Sequence, residues 1–359
     1  MTSAALSIRT PAFPHTAFRD GIDEHRMLLV IFVLQIVVSA AMCRAAHRPS
    51  FVGLGDAFLT IDGSVVIFGA MALAVSLIRA RPRGLPLVAG YSAAWRDVRG
   101  RVVSPRWLAS VTVLVIVLPM SLAAFSAAKR AIPSIEPFSW DRTLEHLGRE
   151  LHGGRHAWEW LQPIVGHPTI TVLLDRYYHL GWSLLVLGTV GVVVVSPVSR
   201  LRRRFVTAWV ALSFTCGTLA ALTFSSAGPP YFARVTGERD PYVQLRAYLR
   251  GVDASVPLLS VGGRRTLWAA YQRHVDSFGL GISAMPSMHI ATTALVACIA
   301  WAVSPVLGLA AAVATLVMIV GSVSLCWHYA IDGYVGALLA VAIWMAVSLA
   351  ERRHHAPMS

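Results

Sequence analysis

The sequence predicts an all-α protein, a polytopic membrane bundle of about eight transmembrane helices. Three observations predict it. Hydrophobic residues make up 56% of the 359 residues and charged residues only 14%, with a mean hydropathy of +0.61. A soluble domain carries roughly 25% charged residues, so this chain lacks the polar groups to cover a water-facing surface. The apolar residues also gather into stretches close to the ~20 residues that cross a bilayer, and arginines cluster between them.

In chain order the stretches run over 27–43, 63–78, 107–128, 178–196, 205–226, 290–303, 306–327 and 330–349. The second and sixth are short and are expected to extend into flanking residues. Met1 to Glu24 holds Arg9, two prolines and no apolar run. It does not read as a cleaved signal, and the first span reads as a retained anchor.

The net charge of +13 is placed by topology rather than by nucleic acid. Arg79, Arg81, Arg83, Arg96, Arg99, Arg101 and Arg106 fall between spans two and three. Arg200, Arg202, Arg203 and Arg204 fall between spans four and five, and Arg352 and Arg353 follow span eight. Alternating spans put all three clusters on one side, the cytoplasmic side by the positive-inside rule, where they can also meet lipid headgroups. Both termini are then cytoplasmic, and two long loops, 129–177 and 227–286, lie on the outer face. The expected division is an N-terminal helix pair with its basic loop (1–106), a membrane domain (107–350) and a tail (351–359).

Loop 129–177 contains Trp140, Trp158, Trp160, His146, His152 and His156. Its Asp141–Leu161 stretch has the mixed character of an interfacial helix lying on the membrane as a collar. Cys216 and Cys298 read as small buried hydrophobes within spans. Cys43 and Cys326 sit near outer span ends, and whether they pair stays open. No internal repeat is visible, which counts against a secondary transporter.

Two segments carry chemistry. His328 and Asp332 stand four apart at the start of span eight, hence on one helix face. A carboxylate beside an imidazole fixes its tautomer and leaves the other nitrogen as nucleophile or base, and ionisable residues at a span are functional candidates. Span six opens with Pro286-Ser287-Met288-His289. Proline suits a first helical turn, the free amides there form an anion site, and Ser287 can cap the helix or donate to a phosphate oxygen. Taken singly, each segment reads better as a helix end with an interfacial histidine. Metal spacing is absent: His152 and His156 share a face only if Gly153-Gly154 is helical, and there is no H-E-x-x-H. No metal and no cofactor is called for.

Together, P-S-x-H, a two-span hairpin and H-x-x-x-D resemble the type 2 phosphatidic acid phosphatase superfamily over about Phe205 to Ala350. The resemblance implies a six-helix phosphatase-like core. It implies that His328 attacks phosphorus, His289 protonates the leaving oxygen and Asp332 orients His328. The chain departs from the phosphatases at two places. Ser322 stands where they carry an arginine, and Ser226-Ala227-Gly228-Pro229-Pro230-Tyr231-Phe232 replaces their lysine- and arginine-bearing motif. Those departures, and the run FSAAKRAIPSIEPFSWD (Phe125 to Asp141), resemble the branch of inositol phosphorylceramide synthases and their bacterial relatives. That branch implies a bacterial inner-membrane protein moving a phosphorylated headgroup from a phospholipid donor to a lipid hydroxyl. The alternatives are a lipid phosphate phosphatase using water and, in another class, a transporter or channel. Neither the headgroup nor an accessory subunit is readable.

Other groups must then neutralise the phosphate. Lys129, the single lysine of the chain, is placed at the outer end of span three, where an ammonium can reach a phosphate. Arg130 and Arg234 are similar candidates, Tyr231 can donate its hydroxyl, and the Gly228 turn can offer backbone amides.

Overall fold

The computed structural model describes residues 15–50, 52–82 and 85–354. Arg83, residues 1–14 and the tail from 355 lie outside the described residues. Among the described residues seven helices are long and apolar enough to cross a membrane: Arg26–Ala45, Leu54–Ala80, Pro105–Ile135, Pro168–Val195, Arg200–Thr223, Pro305–Ser324 and Ala330–Arg353. The shorter Met288–Val303 completes the expected eight and is the sixth in order.

Three spans outrun their apolar stretches, because a single charged residue does not break the backbone ladder of a helix. The second span starts at Leu54 and passes through Asp62. The fourth starts at Pro168, because Asp175 is satisfied within the fold by Arg176 and by the amides of Leu259 and Ser260. The third continues to Ile135, so Lys129 and Arg130 lie inside the helix rather than in a loop beyond it. Its alanine-rich end sustains the helical backbone.

The fifth span is the centre of the bundle. Its apolar window is 72% buried, against 17% for the second span, and it packs on the first, third, fourth, sixth and eighth spans. Leu28, Ile61, Leu114, Val186, Phe205 and Leu295 form the largest buried cluster around it. Val66, Leu184, Leu309 and Leu338 project outward from the spans, as lipid-facing residues do. Between membrane helices, close van der Waals packing does the work that water exclusion does elsewhere. Gly191 shows this: a Cβ there would sit 2.4 Å from the Ser64 carbonyl oxygen, so spans two and four meet backbone to backbone.

The two ends of the bundle differ in chemistry. At one end Glu351 pairs with Arg203 and Arg204 at 3.8 and 3.5 Å, Arg106 pairs with Glu24 at 3.2 Å, and His25 meets the Ser110 hydroxyl at 2.7 Å. The opposite end holds the starts of spans six and eight, and therefore the histidine motifs.

The long connections at that end are helical. The expected single interfacial helix is two helices, Asp141–Leu151 and Ala157–Val165. They break at Gly153 and Gly154, whose φ values of 69° and 84° only glycine adopts freely. Ala157–Val165 packs on the seventh span, burying Trp158. The second connection folds into Phe232–Thr236, Val243–Ser255 and Leu259–Gln272. Cys43 and Cys326 are both free thiols. Cys43 packs among Ala127, Ala128 and Ile132, and Cys326 in a separate cluster with Leu325 and Tyr329, so they do not pair.

Candidate active site at the histidine end of the bundle

The seventh span ends at Ser324, and a tight turn leads into the eighth. The Ser322 carbonyl accepts from both Trp327 N–H (2.9 Å) and His328 N–H (3.3 Å), while Cys326 takes a left-handed φ of 58°. This presents His328 at the mouth of the eighth span. Asp332, in the first turn of that helix, accepts from Tyr329 N–H at 3.0 Å, the reciprocal half of a capping box. The same Oδ2 accepts from His328 Nδ1 at 3.3 Å. With Nδ1 committed to the carboxylate, the lone pair lies on Nε2. Asp332 is completely buried, and its Oδ1 has no partner.

The start of the sixth span rests on the eighth. Ser287 N–H donates to the Asp332 carbonyl at 3.0 Å, and a Cβ at Gly336 would lie 2.7 Å from the Ser287 carbonyl oxygen. Pro286 precedes the N-cap rather than occupying the first turn, and the Ser287 side chain does not cap. Its Oγ is buried without a partner. One residue on, His289 is held between two rings, stacked on Tyr178 at 4.6 Å and 20° and tilted against Trp182 at 4.4 Å. Tyr178 comes from a π-helical turn, Tyr177–Gly181, in the fourth span. Such turns often mark functional sites, because the extra residue re-aims side chains.

The structure thus brings His328, His289, Asp332, Ser287 and Lys129 to one end of the bundle. Lys129 Nζ lies 6.0 Å from the Phe125 ring, and Gly281 passes directly over its side chain. Four expected phosphate ligands are engaged elsewhere. Arg130 pairs with Asp276 at 3.4 Å and donates to Ser126 Oγ and the Ser277 carbonyl. Tyr231 gives its hydroxyl to the Arg264 carbonyl at 2.8 Å. Arg234 lies over the Trp268 ring at 4.9 Å in a separate groove. The Gly228 amide is already spent on Asp141.

Asp141 escaped the sequence reading. It is 1% exposed, and its carboxylate accepts from Ala227 N–H, Gly228 N–H and the Tyr329 hydroxyl, each at 2.8 Å. Burial pushes its carboxyl up from the ordinary range, and the three donors oppose that. Asp141 therefore ties the Gly228 turn to the residue after His328. The signal was present, since Asp141 closes the run FSAAKRAIPSIEPFSWD, but nothing local shows that this acid turns inward. Arg264 was also missed. It donates to the Leu325 and Cys326 carbonyls, bracing the turn before His328.

His328, Tyr329, Glu145, Arg149, His156 and Tyr242 line a cleft of about 20 Å³. That is room for about one water.

Residues 142–346 match the PAP2 superfamily, whereas no curated protein and no solved structure matches the chain. The matched stretch covers more than half of the chain and includes the π-helical turn, both histidine segments and the interfacial helices. The chain therefore belongs to the PAP2 superfamily, whose chemistry is of the lipid phosphatase and phosphotransferase type.

Proposed function

We propose that this protein moves a phosphorylated headgroup between lipids through a phosphohistidine at His328. The observation that supports the reading is the contact of His328 Nδ1 with buried Asp332 at 3.3 Å, at the same end of the bundle as a second histidine, His289, held in an aromatic clamp. His328 Nε2 attacks phosphorus, and the phosphorus–oxygen bond to the donor breaks. His289 gives its proton to the departing oxygen. Asp332 stabilises the charge that His328 acquires, and Oδ1 remains free to strengthen that role. The now neutral His289 then takes the proton of an acceptor hydroxyl, whose oxygen attacks phosphorus and breaks the phosphorus–nitrogen bond. This is nucleophilic catalysis in two displacements, each easier than one direct transfer.

Lys129, the Ser287 hydroxyl and the free amides at the start of the sixth span supply positive charge to the phosphoryl oxygens. The substitution of Ser322 for a cation, and the resemblance to the inositol phosphorylceramide synthase branch, support transfer to a lipid hydroxyl. In this reading the site faces the outer side of a bacterial inner membrane, where amphiphiles enter sideways with their tails in lipid.

Hydrolysis, with water in the place of the acceptor hydroxyl, is the second reading, and the PAP2 match fits it equally. Purified protein given a phospholipid donor and a lipid alcohol distinguishes the two. A chloroform-extractable phosphorylated product means transfer. Release of only free phosphate or a water-soluble phosphoester means hydrolysis, and no turnover of any lipid phosphate removes both.

A further inference from the structure

A second cleft lies beside the first. The turn Pro229–Tyr231 divides them: Pro229 lines the His328 cleft, while Pro230 and Tyr231 line the other. This groove encloses about 350 Å³, inside the range of roughly 300–1,000 Å³ typical of small-molecule sites. Five arginines line it: Arg234, Arg246, Arg250, Arg264 and Arg265.

The groove is strongly positive and largely pre-arranged. Of its arginines, Arg246 pairs with Asp240, and Arg264 is buried and committed in part to backbone carbonyls. The neighbouring acids are otherwise occupied, Glu238 by Arg142 at 2.5 Å and Asp253 by the Leu258 amide at 2.8 Å. Among the described residues no carboxylate pairs with Arg234, Arg250 or Arg265. Trp268 stacks on Tyr231 at 4.9 Å and 26°, building a stiff wall, and the Arg234 guanidinium lies over the Trp268 ring. Like charges gathered without acids repel one another, and that cost is relieved when an anion arrives. Guanidinium forks match phosphate oxygens two by two, and groups fixed in advance lose little freedom on binding.

We propose that this groove is a binding site for a multiply charged phosphoanion, distinct from the histidine centre and next to it. A phosphorylated lipid headgroup and a soluble phosphate compound share that chemistry. The site does not depend on His328 being a nucleophile.

The test is equilibrium binding to the full-length protein in nanodiscs. The soluble probe is labelled pyrophosphate with neutral phosphatidylcholine discs, and the lipid probe is labelled phosphatidic acid doped into such discs. Binding of pyrophosphate identifies a soluble ligand, and binding of phosphatidic acid alone identifies a headgroup. In either case Arg250→Gln with Arg265→Gln weakens binding by about tenfold or more, the loss of one to two charge-assisted hydrogen bonds, while His328→Ala binds as the parent does. Elution volume and thermal unfolding confirm that the double variant is folded. The proposal is overturned if neither probe binds, if the double variant binds unchanged, or if His328→Ala alone abolishes binding.

Discussion

The Tyr329 hydroxyl donates to Asp141 Oδ1 at 2.8 Å, joining residues 188 positions apart in the chain. Through that bond an interfacial helix is fastened to the neighbour of His328. Asp141→Ala would leave two backbone amides and a phenol without acceptors inside the protein. Each orphaned buried donor costs about 1–3 kcal/mol, so a lowered unfolding temperature and a large loss of turnover are expected. Tyr329→Phe removes one donor only, and a loss of about 1 kcal/mol with most activity retained is expected. Equal damage from the two substitutions would show that Asp141 does not organise the turn.

For the proposed chemistry, His328→Ala is expected to lower turnover by at least ~10³-fold, as removal of a covalent nucleophile does, with the fold intact by gel filtration. His289→Ala is expected to cost ~10²–10⁴-fold, the range for a lost general acid. Asp332→Asn is expected to leave measurable activity. Acid-labile phosphate, trapped by rapid quench with labelled donor, should appear in the parent and be absent in His328→Ala. Full activity in His328→Ala removes the covalent step.

Lys129 and Arg130 are neighbours with different surroundings, which makes them a useful pair. Lys129→Met is expected to lower kcat/KM by about 10–100-fold, the value of one hydrogen bond to a charged group. Arg130→Met breaks the contact with Asp276 and is expected to lower the unfolding temperature while kcat/KM of the folded fraction changes little. The reverse pattern would assign the phosphate to Arg130.

At the far end, burial beside Arg202 and Arg203 holds His25 down at about 4, below its ordinary 6.5. The unfolded chain therefore takes up a proton first as pH falls. Stability from this residue is complete above pH 6.5 and is lost as pH drops toward 4. His25→Gln is expected to flatten the unfolding temperature between those values in detergent titrations. An unchanged slope would mean other groups control it.

The spans and the contact of His328 with Asp332 were legible because each is written locally, as a run of apolar residues or a short spacing. Helix ends were less so. Asp175 looks like a stop signal at the start of the fourth span, yet the Leu259 and Ser260 amides donate to its carboxylate. The phosphate set was the hardest to read. Arg130, Tyr231 and Arg234 have the right chemistry, but whether a cation meets substrate or another part of the chain is decided by tertiary contacts. Asp141 failed in the opposite sense, an acid of ordinary appearance whose partners come from residues 227, 228 and 329.

Gly336 sits in the second turn of the last span, and its hydrogen side chain lets the Ser287 carbonyl come within 2.7 Å of where a methyl would stand. The spacing between the two helix mouths is therefore governed by an atom that is not there. Adding that carbon would lever one mouth away from the other while leaving both histidine side chains chemically intact.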